Sequence, residues 1–304
     1  MEGIVLRSTG SFYDVLTADG SKVMCKVRGK IRLEGIKESN PVAVGDRVAF
    51  DTDNEIGSIT EILPRKNHIL RQSVKKTGHA HVLAANVDQA FLMVTLAYPK
   101  TSLGFIDRFL VSAESFRISQ TLVFNKMDML GPEGLEYQNA LIDLYQMIGI
   151  GTVAISALAD GHEKIMELIE GKTTLFAGHS GVGKSTLLNK LDPQINQKIG
   201  QISGYSEKGT HTTTFAEMFE IGKNTFVIDT PGIKEWGLVD MNSQELSDYF
   251  PEMRDLRLEC KFGSRCLHVN EPKCAIIPAV ERGKIAYSRY ESYLSMLSGK
   301  DNRK

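Results

Sequence analysis

The stretch Gly178-His179-Ser180-Gly181-Val182-Gly183-Lys184-Ser185 constrains the fold more than any other part of the chain. It reads G-x-x-x-x-G-K-S, the pattern of a phosphate-cradling loop. The apolar run at residues 173–177 just ahead of it suits a buried strand, and residues 186–191 just after it suit the opening of a helix. Strand, loop and helix in that order are what such a loop needs. Glycines let backbone N–H groups turn towards phosphate oxygens, and the helix N-terminus adds partial positive charge. Lys184 is expected to reach the β- and γ-phosphates and the Ser185 hydroxyl to hold Mg²⁺. Gly178 through Gly183, with Thr186, complete the expected phosphate contacts.

Around this loop the sequence alternates between strands and helices. Strands are expected at residues 87–96, 121–125 and 152–156, and helices at 106–116, 135–148 and 162–170. That rhythm means a mostly parallel sheet with helices on both faces. The loops after the strands carry chemistry. Asn125-Lys126-Met127-Asp128 reads N-K-x-D after an apolar strand. The Asp128 carboxylate can accept from the guanine N1–H and 2-amino groups together, a pair adenine does not offer, while Asn125 and Lys126 brace the loop. Ser156-Ala157-Leu158 follows the next strand, as does the element whose backbone meets the base in GTP-binding proteins.

Downstream, Gly209-Thr210-His211-Thr212-Thr213-Thr214 suits a first switch loop, with Thr212 or Thr213 completing the Mg²⁺ shell. His211 either positions the attacking water or is an ordinary loop histidine. Asp229-Thr230-Pro231-Gly232 ends a strand at residues 225–228. There Asp229 is expected to hold Mg²⁺ through water and Gly232 to sense the γ-phosphate. Lys184, Ser185, His211 and Thr213 are the expected catalytic set. The order runs base loops, phosphate loop, switches, whereas an ordinary GTPase begins with the phosphate loop. A circular permutation accounts for it, since domain termini often lie close together. Ile233 stands where a glutamine would orient the attacking water, so hydrolysis unaided is expected to be slow.

The flanks differ in kind. Residues 4–8, 12–16, 22–27, 46–50 and 57–62 read as five short strands, the size of an OB-fold barrel, which either binds RNA or is purely structural. Lys26, Arg28, Lys30 and Arg32 are its candidate phosphate contacts; Phe12, Tyr13 and Phe50 are either core or stacking platforms. Residues 65–81 read as a linker or mobile loop. At the other end, Cys260, Cys266, His268 and Cys274 offer three thiolates and an imidazole, a closed tetrahedral set for one structural Zn²⁺. The alternatives are reduced free cysteines or a redox role. Helices are expected at 244–250 and 281–297. The expected units are a barrel over 1–68, a permuted GTPase domain over 69–240 and a zinc-binding helical domain over 241–304.

Charge is unevenly spread. Residues 1–76 hold 13 Lys and Arg against 10 Asp and Glu, residues 77–252 hold 12 against 21, and residues 253–304 hold 11 against 6. Basic ends about an acidic middle suit a polyanion that meets both ends. The start has no signal-peptide pattern, and no apolar run approaches the ~20 residues of a membrane span, so a cytoplasmic protein with reduced thiols is expected.

Barrel, permuted motif order and Cys260-Cys266-His268-Cys274 together resemble the RsgA (YjeQ/YloQ type) family of ribosome small-subunit-dependent GTPases of bacteria, over essentially the full length. The loop at Gly209-Thr210-His211-Thr212-Thr213-Thr214 is similar to the family's first switch, histidine included. The resemblance implies binding to the 30S subunit, GTP hydrolysis stimulated by it, and a role in late maturation of 16S rRNA. It also implies that barrel and zinc domain contact that RNA on either side of the GTPase. A monomer that does not engage membranes is expected.

Overall fold

The computed structural model describes residues 1–28, 41–52, 56–72, 80–159, 161–195, 216–230 and 241–299. The expectations for Lys30, Arg32, His211, Thr212, Thr213, Gly232 and Ile233 lie outside these residues.

The central sheet grows from runs too apolar for a one-faced strand. In β8 (Gln89–Val94) every residue is buried. Ala90, Leu92 and Val94 face one core, while Phe91 and Met93 face another. Helices therefore cover both faces. α1 (Leu103–Ser115) and α2 (Pro132–Met147) pack on the first, and α3 (Gly161–Ile169) and α4 (Lys184–Leu191) on the second. β9 (Ser119–Phe124), β10 (Gly151–Ala154), β11 (Thr173–Gly178) and β13 (Thr225–Asp229) join β8 in parallel, in the order β10-β9-β8-β11-β13. The register places Val94 beside Phe124, Phe124 beside Ala154, and Phe176 beside Asp229. The N-K-x-D loop, the Ser156-Ala157 loop, the phosphate loop and Asp229 thus lie at the carboxyl edge, where open α/β sheets bind ligands. An antiparallel edge strand, β12 (Glu217–Gly222), was not anticipated, because its glutamates mask the buried Met218.

The first five strands, β1 (Glu2–Ser8), β2 (Tyr13–Thr17), β3 (Lys22–Val27), β4 (Arg47–Asp51) and β5 (Gly57–Ile62), pair in the order β1-β2-β3-β5-β4 and back to β1. Only β3–β5 is parallel, and the closed ring is OB-like. Tyr13 and Phe50 are core residues. Phe12 lies at the surface beneath the Lys26 ammonium, 4.6 Å from its ring centre.

The expected linker over 65–81 is corrected. β6 (His68–Gln72) and β7 (Ala80–Ala85) form an antiparallel pair whose Ile69 and Ala84 enter the first core. Basic residues hid these apolar positions. The pair seats the barrel on the middle domain. Val44 bridges to Ala84, and Asn86 Nδ2 donates to the Gly45 carbonyl at 2.9 Å. Gly45 has φ +85, and a side chain there would strike the Ala85 carbonyl. Arg65 grips the fully buried Asp46 with two bonds of 2.6 and 2.7 Å. β1 also pairs with β12, Arg7 opposite Glu217.

The C-terminal region is built of short helices. The helix expected over 244–250 is a 3₁₀ turn at Leu246–Tyr249, followed by α5 (Pro251–Arg254), which proline opens. The one expected over 281–297 is two: α6 (Ile276–Glu281) and α7 (Tyr287–Leu297). Between them the Gly283 and Lys284 amides turn back to the Val280 and Ala279 carbonyls. No described helix is long and apolar enough to cross a membrane.

Candidate nucleotide site and metal centre

β11 delivers the phosphate loop and α4 begins at Lys184. Gly183 takes φ +97, and a Cβ on it would collide with Asn125 Nδ2. That close approach exists because Asn125, 3% exposed, spans two loops. Its Nδ2 donates to the Val182 carbonyl at 2.7 Å, and its Oδ1 accepts from the Ala157 amide at 2.8 Å. One amide side chain therefore joins the N-K-x-D loop, the phosphate loop and the Ser156-Ala157 loop.

Lys126, in the left-handed conformation at φ 63, donates to the carbonyls of Gly181 at 2.7 Å and Tyr98 at 2.9 Å. Burial lowers its pKa, against the opposing pull of Asp128. Asp128 itself is exposed. Lys184 forms an ion pair with Asp229 and donates to the Thr230 carbonyl, drawing the phosphate loop to the end of β13. Asp229 is buried, so its carboxylate depends on charged partners. The Thr230 hydroxyl donates to the Phe176 carbonyl at 3.0 Å. Ser185 follows Lys184 in the first turn of α4. His179 stacks on Phe105 of α1, ring centres 3.8 Å apart.

In the C-terminal region the Cys260, Cys266, His268 and Cys274 donor atoms lie within 4.8 Å of one another, all four residues buried. Cys260 Sγ is 3.6 Å from His268 Nδ1 and 3.9 Å from Cys274 Sγ; Cys274 Sγ is 3.5 Å from His268 Nδ1. A tetrahedral zinc would need about 3.8 Å between sulfurs and about 3.6 Å from sulfur to nitrogen. The set can hold a metal ion. Glu271 organises the ligand loop by accepting from the amides of Leu267 (2.8 Å), Val269 (2.8 Å) and Asn270 (3.2 Å). Burial pushes the Cys266 thiol up to about 12, so deprotonation there needs a cation nearby.

Similarity to known proteins agrees with this geometry. Residues 62–239 match the RsgA GTPase family model and residues 2–59 the RsgA N-terminal domain model. A Bacteroides fragilis protein described as small ribosomal subunit biogenesis GTPase RsgA is 49% identical, covering 100% of this chain and 98% of its own. One of the same description from Christiangramia forsetii is 46% identical, covering 99% and 97%. The chain belongs to the RsgA GTPase family. Crystal structures of two other members superpose on it. YjeQ from Thermotoga maritima matches at TM-score 0.78 and 36% identity, over 100% of this chain and 99% of that one. YloQ, described as a circularly permuted GTPase, matches at 0.73 and 30%, over 100% and 96%. The chain is a permuted GTPase, and family membership brings Mg²⁺ with the nucleotide.

Two features of this RsgA-type chain escaped sequence reasoning. Arg289 of α7, almost wholly buried, donates to Asp107 of α1 at 2.6 Å and to Glu252 of α5 at 2.7 Å. Tyr145 of α2 also donates to Asp107, at 2.9 Å. The cluster bolts the C-terminal region to the GTPase core, and helical periodicity alone does not reveal charges turned inward. Lys190 is the other.

Proposed function

We propose that the chain binds the 30S ribosomal subunit and hydrolyses GTP to GDP and phosphate during late maturation of its 16S rRNA, acting in the cytoplasm as a monomer. The Asn125 bridge supports the nucleotide part of this reading, because it ties the N-K-x-D loop to the phosphate loop, and the relatives described as small ribosomal subunit biogenesis GTPases support the 30S part. Asp128 reads the guanine N1–H and 2-amino groups, and the Ser156–Ala157 backbone meets the base at its 6-oxo edge. Gly178, His179, Ser180, Gly181, Val182, Gly183 and Thr186 surround the phosphates. Lys184 moves from Asp229 to the β- and γ-phosphates, where its charge offsets that developing in the transition state. Asp229 and Ser185, with Thr212 or Thr213, form the oxygen donor set that Mg²⁺ prefers; the ion neutralises phosphate charge. His211 positions water, and Gly232 senses the γ-phosphate.

The chain works as three units, residues 1–68, 69–240 and 241–304, with basic barrel and C-terminal faces on RNA. Cys260, Cys266, His268 and Cys274 hold one structural Zn²⁺, which cross-links the ligand loop. Residues 229–240 lead from the second switch into the metal-binding unit, so GTP favours the conformation that grips the subunit and hydrolysis releases it. Phosphate release measured with and without purified 30S particles, ATP serving as control, tests this. The expected result is slow GTP turnover that the particles accelerate and that Lys184→Ala abolishes. Equal turnover in both conditions overturns the 30S assignment.

A further inference from the structure

Lys190 belongs to none of the nucleotide motifs, yet it reaches one. It lies in the last turn of α4. A cation there ordinarily serves its own helix's carbonyls. Here the ammonium crosses to the next loop instead, donating to the carbonyls of Leu158 at 2.6 Å and Ala159 at 2.7 Å. Those residues directly follow Ser156-Ala157. Ala157 is buried in the core, but the residues beyond it have less to hold them. The Ala159 amide returns to the Ser156 carbonyl at 3.1 Å, and Leu158 is 76% exposed, so no apolar packing anchors its tip. Asn125 grips the loop at Ala157, and Lys190 grips it at Leu158 and Ala159.

We infer that Lys190 is a positioning residue of the base-binding loop and sets how long a guanine nucleotide stays bound. This rests on the site reading given above. α4 carries Lys184 at one end and Lys190 at the other, so one short helix fixes the phosphate end and the base end of the site relative to each other. For the base to leave, the loop must lift, and lifting it breaks two charge-assisted hydrogen bonds. The same clamp holds the loop backbone against the guanine 6-oxo edge, where adenine carries an amino group. Lys190 thereby contributes to base selection as well as to residence time.

The test uses the full chain with Mg²⁺. Lys190→Met keeps the apolar stem and removes the donor, and Lys190→Arg restores a donor. Release of a fluorescent GDP analogue is followed by stopped flow, and GDP and ADP affinities are measured for each protein. Lys190→Met is expected to release GDP about tenfold faster, less than the full worth of two charge-assisted hydrogen bonds because both are open to solvent. Its preference for GDP over ADP falls with it, and Lys190→Arg recovers most of both. Release at the original rate from Lys190→Met overturns the inference. So does an equal loss of GDP and ADP affinity, which marks a merely structural role. Asp128→Asn separates the two levels: if that variant keeps the original base preference, the reading of the site itself fails, and this inference with it.

Discussion

Asn125 spends both ends of its amide on other loops, and this makes it the residue on which the nucleotide site turns. Asn125→Ala leaves a buried carbonyl and a buried amide without partners, each costing about 1–3 kcal/mol. Urea unfolding of the variant is expected to show a loss of about 2 kcal/mol or more, with guanine nucleotide binding greatly weakened. Gly183→Ala fails for a different reason: a Cβ at positive φ has Asn125 Nδ2 in its way, so calorimetry should show little GDP binding. At this scale the sequence was highly legible. The phosphate loop, N-K-x-D, Asp229 and the Cys260, Cys266, His268 and Cys274 set stand out because their chemistry demands particular residue types at close spacing, whereas Ser156-Ala157 gains meaning only beside them. Asp107, Lys190 and Arg289 do not, since their partners lie at sequence separations of 31 to 182 residues.

The elements show where pattern reading works and where it stops. β8, β9 and β11 each hold an unbroken apolar run, at residues 90–94, 122–124 and 175–177, and could be placed from it, whereas β6 and β7 could not, because arginine, histidine and alanine dilute their apolar positions. Helix α1 gained a second role in three dimensions. One end meets the phosphate loop through Phe105 and His179, its middle holds Arg289 through Asp107, and Val111 belongs to the C-terminal core. Arg289→Met would strand two buried carboxylates, a change that costs about 3–5 kcal/mol. Chemical denaturation should register that loss. The metal loop carries its own pH dependence. Burial of Glu271 opposes its ionisation, but the Leu267, Val269 and Asn270 amides outweigh that and hold the carboxyl below its usual range. A depressed folded-state value means the contribution is complete above the ordinary glutamate pKa of about 4.3 and is lost as pH falls through the folded value. The difference in melting temperature between the parent and Glu271→Gln should therefore be large at neutral pH and shrink in acid.

For the whole molecule, permutation changes what is wired to what without moving the site. The parallel register brings the N-K-x-D, Ser156-Ala157 and phosphate loops and Asp229 to one edge of the sheet, whatever order the chain visits them. The barrel and the C-terminal region then attach through β6, β7, β12 and α1, contacts that depend on tertiary register and were not legible beforehand. Elemental analysis should find one zinc per chain, and Cys266→Ser should lose it together with cooperative melting of the C-terminal core. The central claim is that Asp128 and the phosphate loop share a single nucleotide. Titration calorimetry of Asp128→Asn with GDP and with XDP tests it most directly, because an asparagine amide can donate to the 2-oxo group that xanthine carries in place of the guanine amine. Weakened GDP binding and strengthened XDP binding are expected; unchanged affinity for both would mean that Asp128 and the phosphate loop do not share one nucleotide.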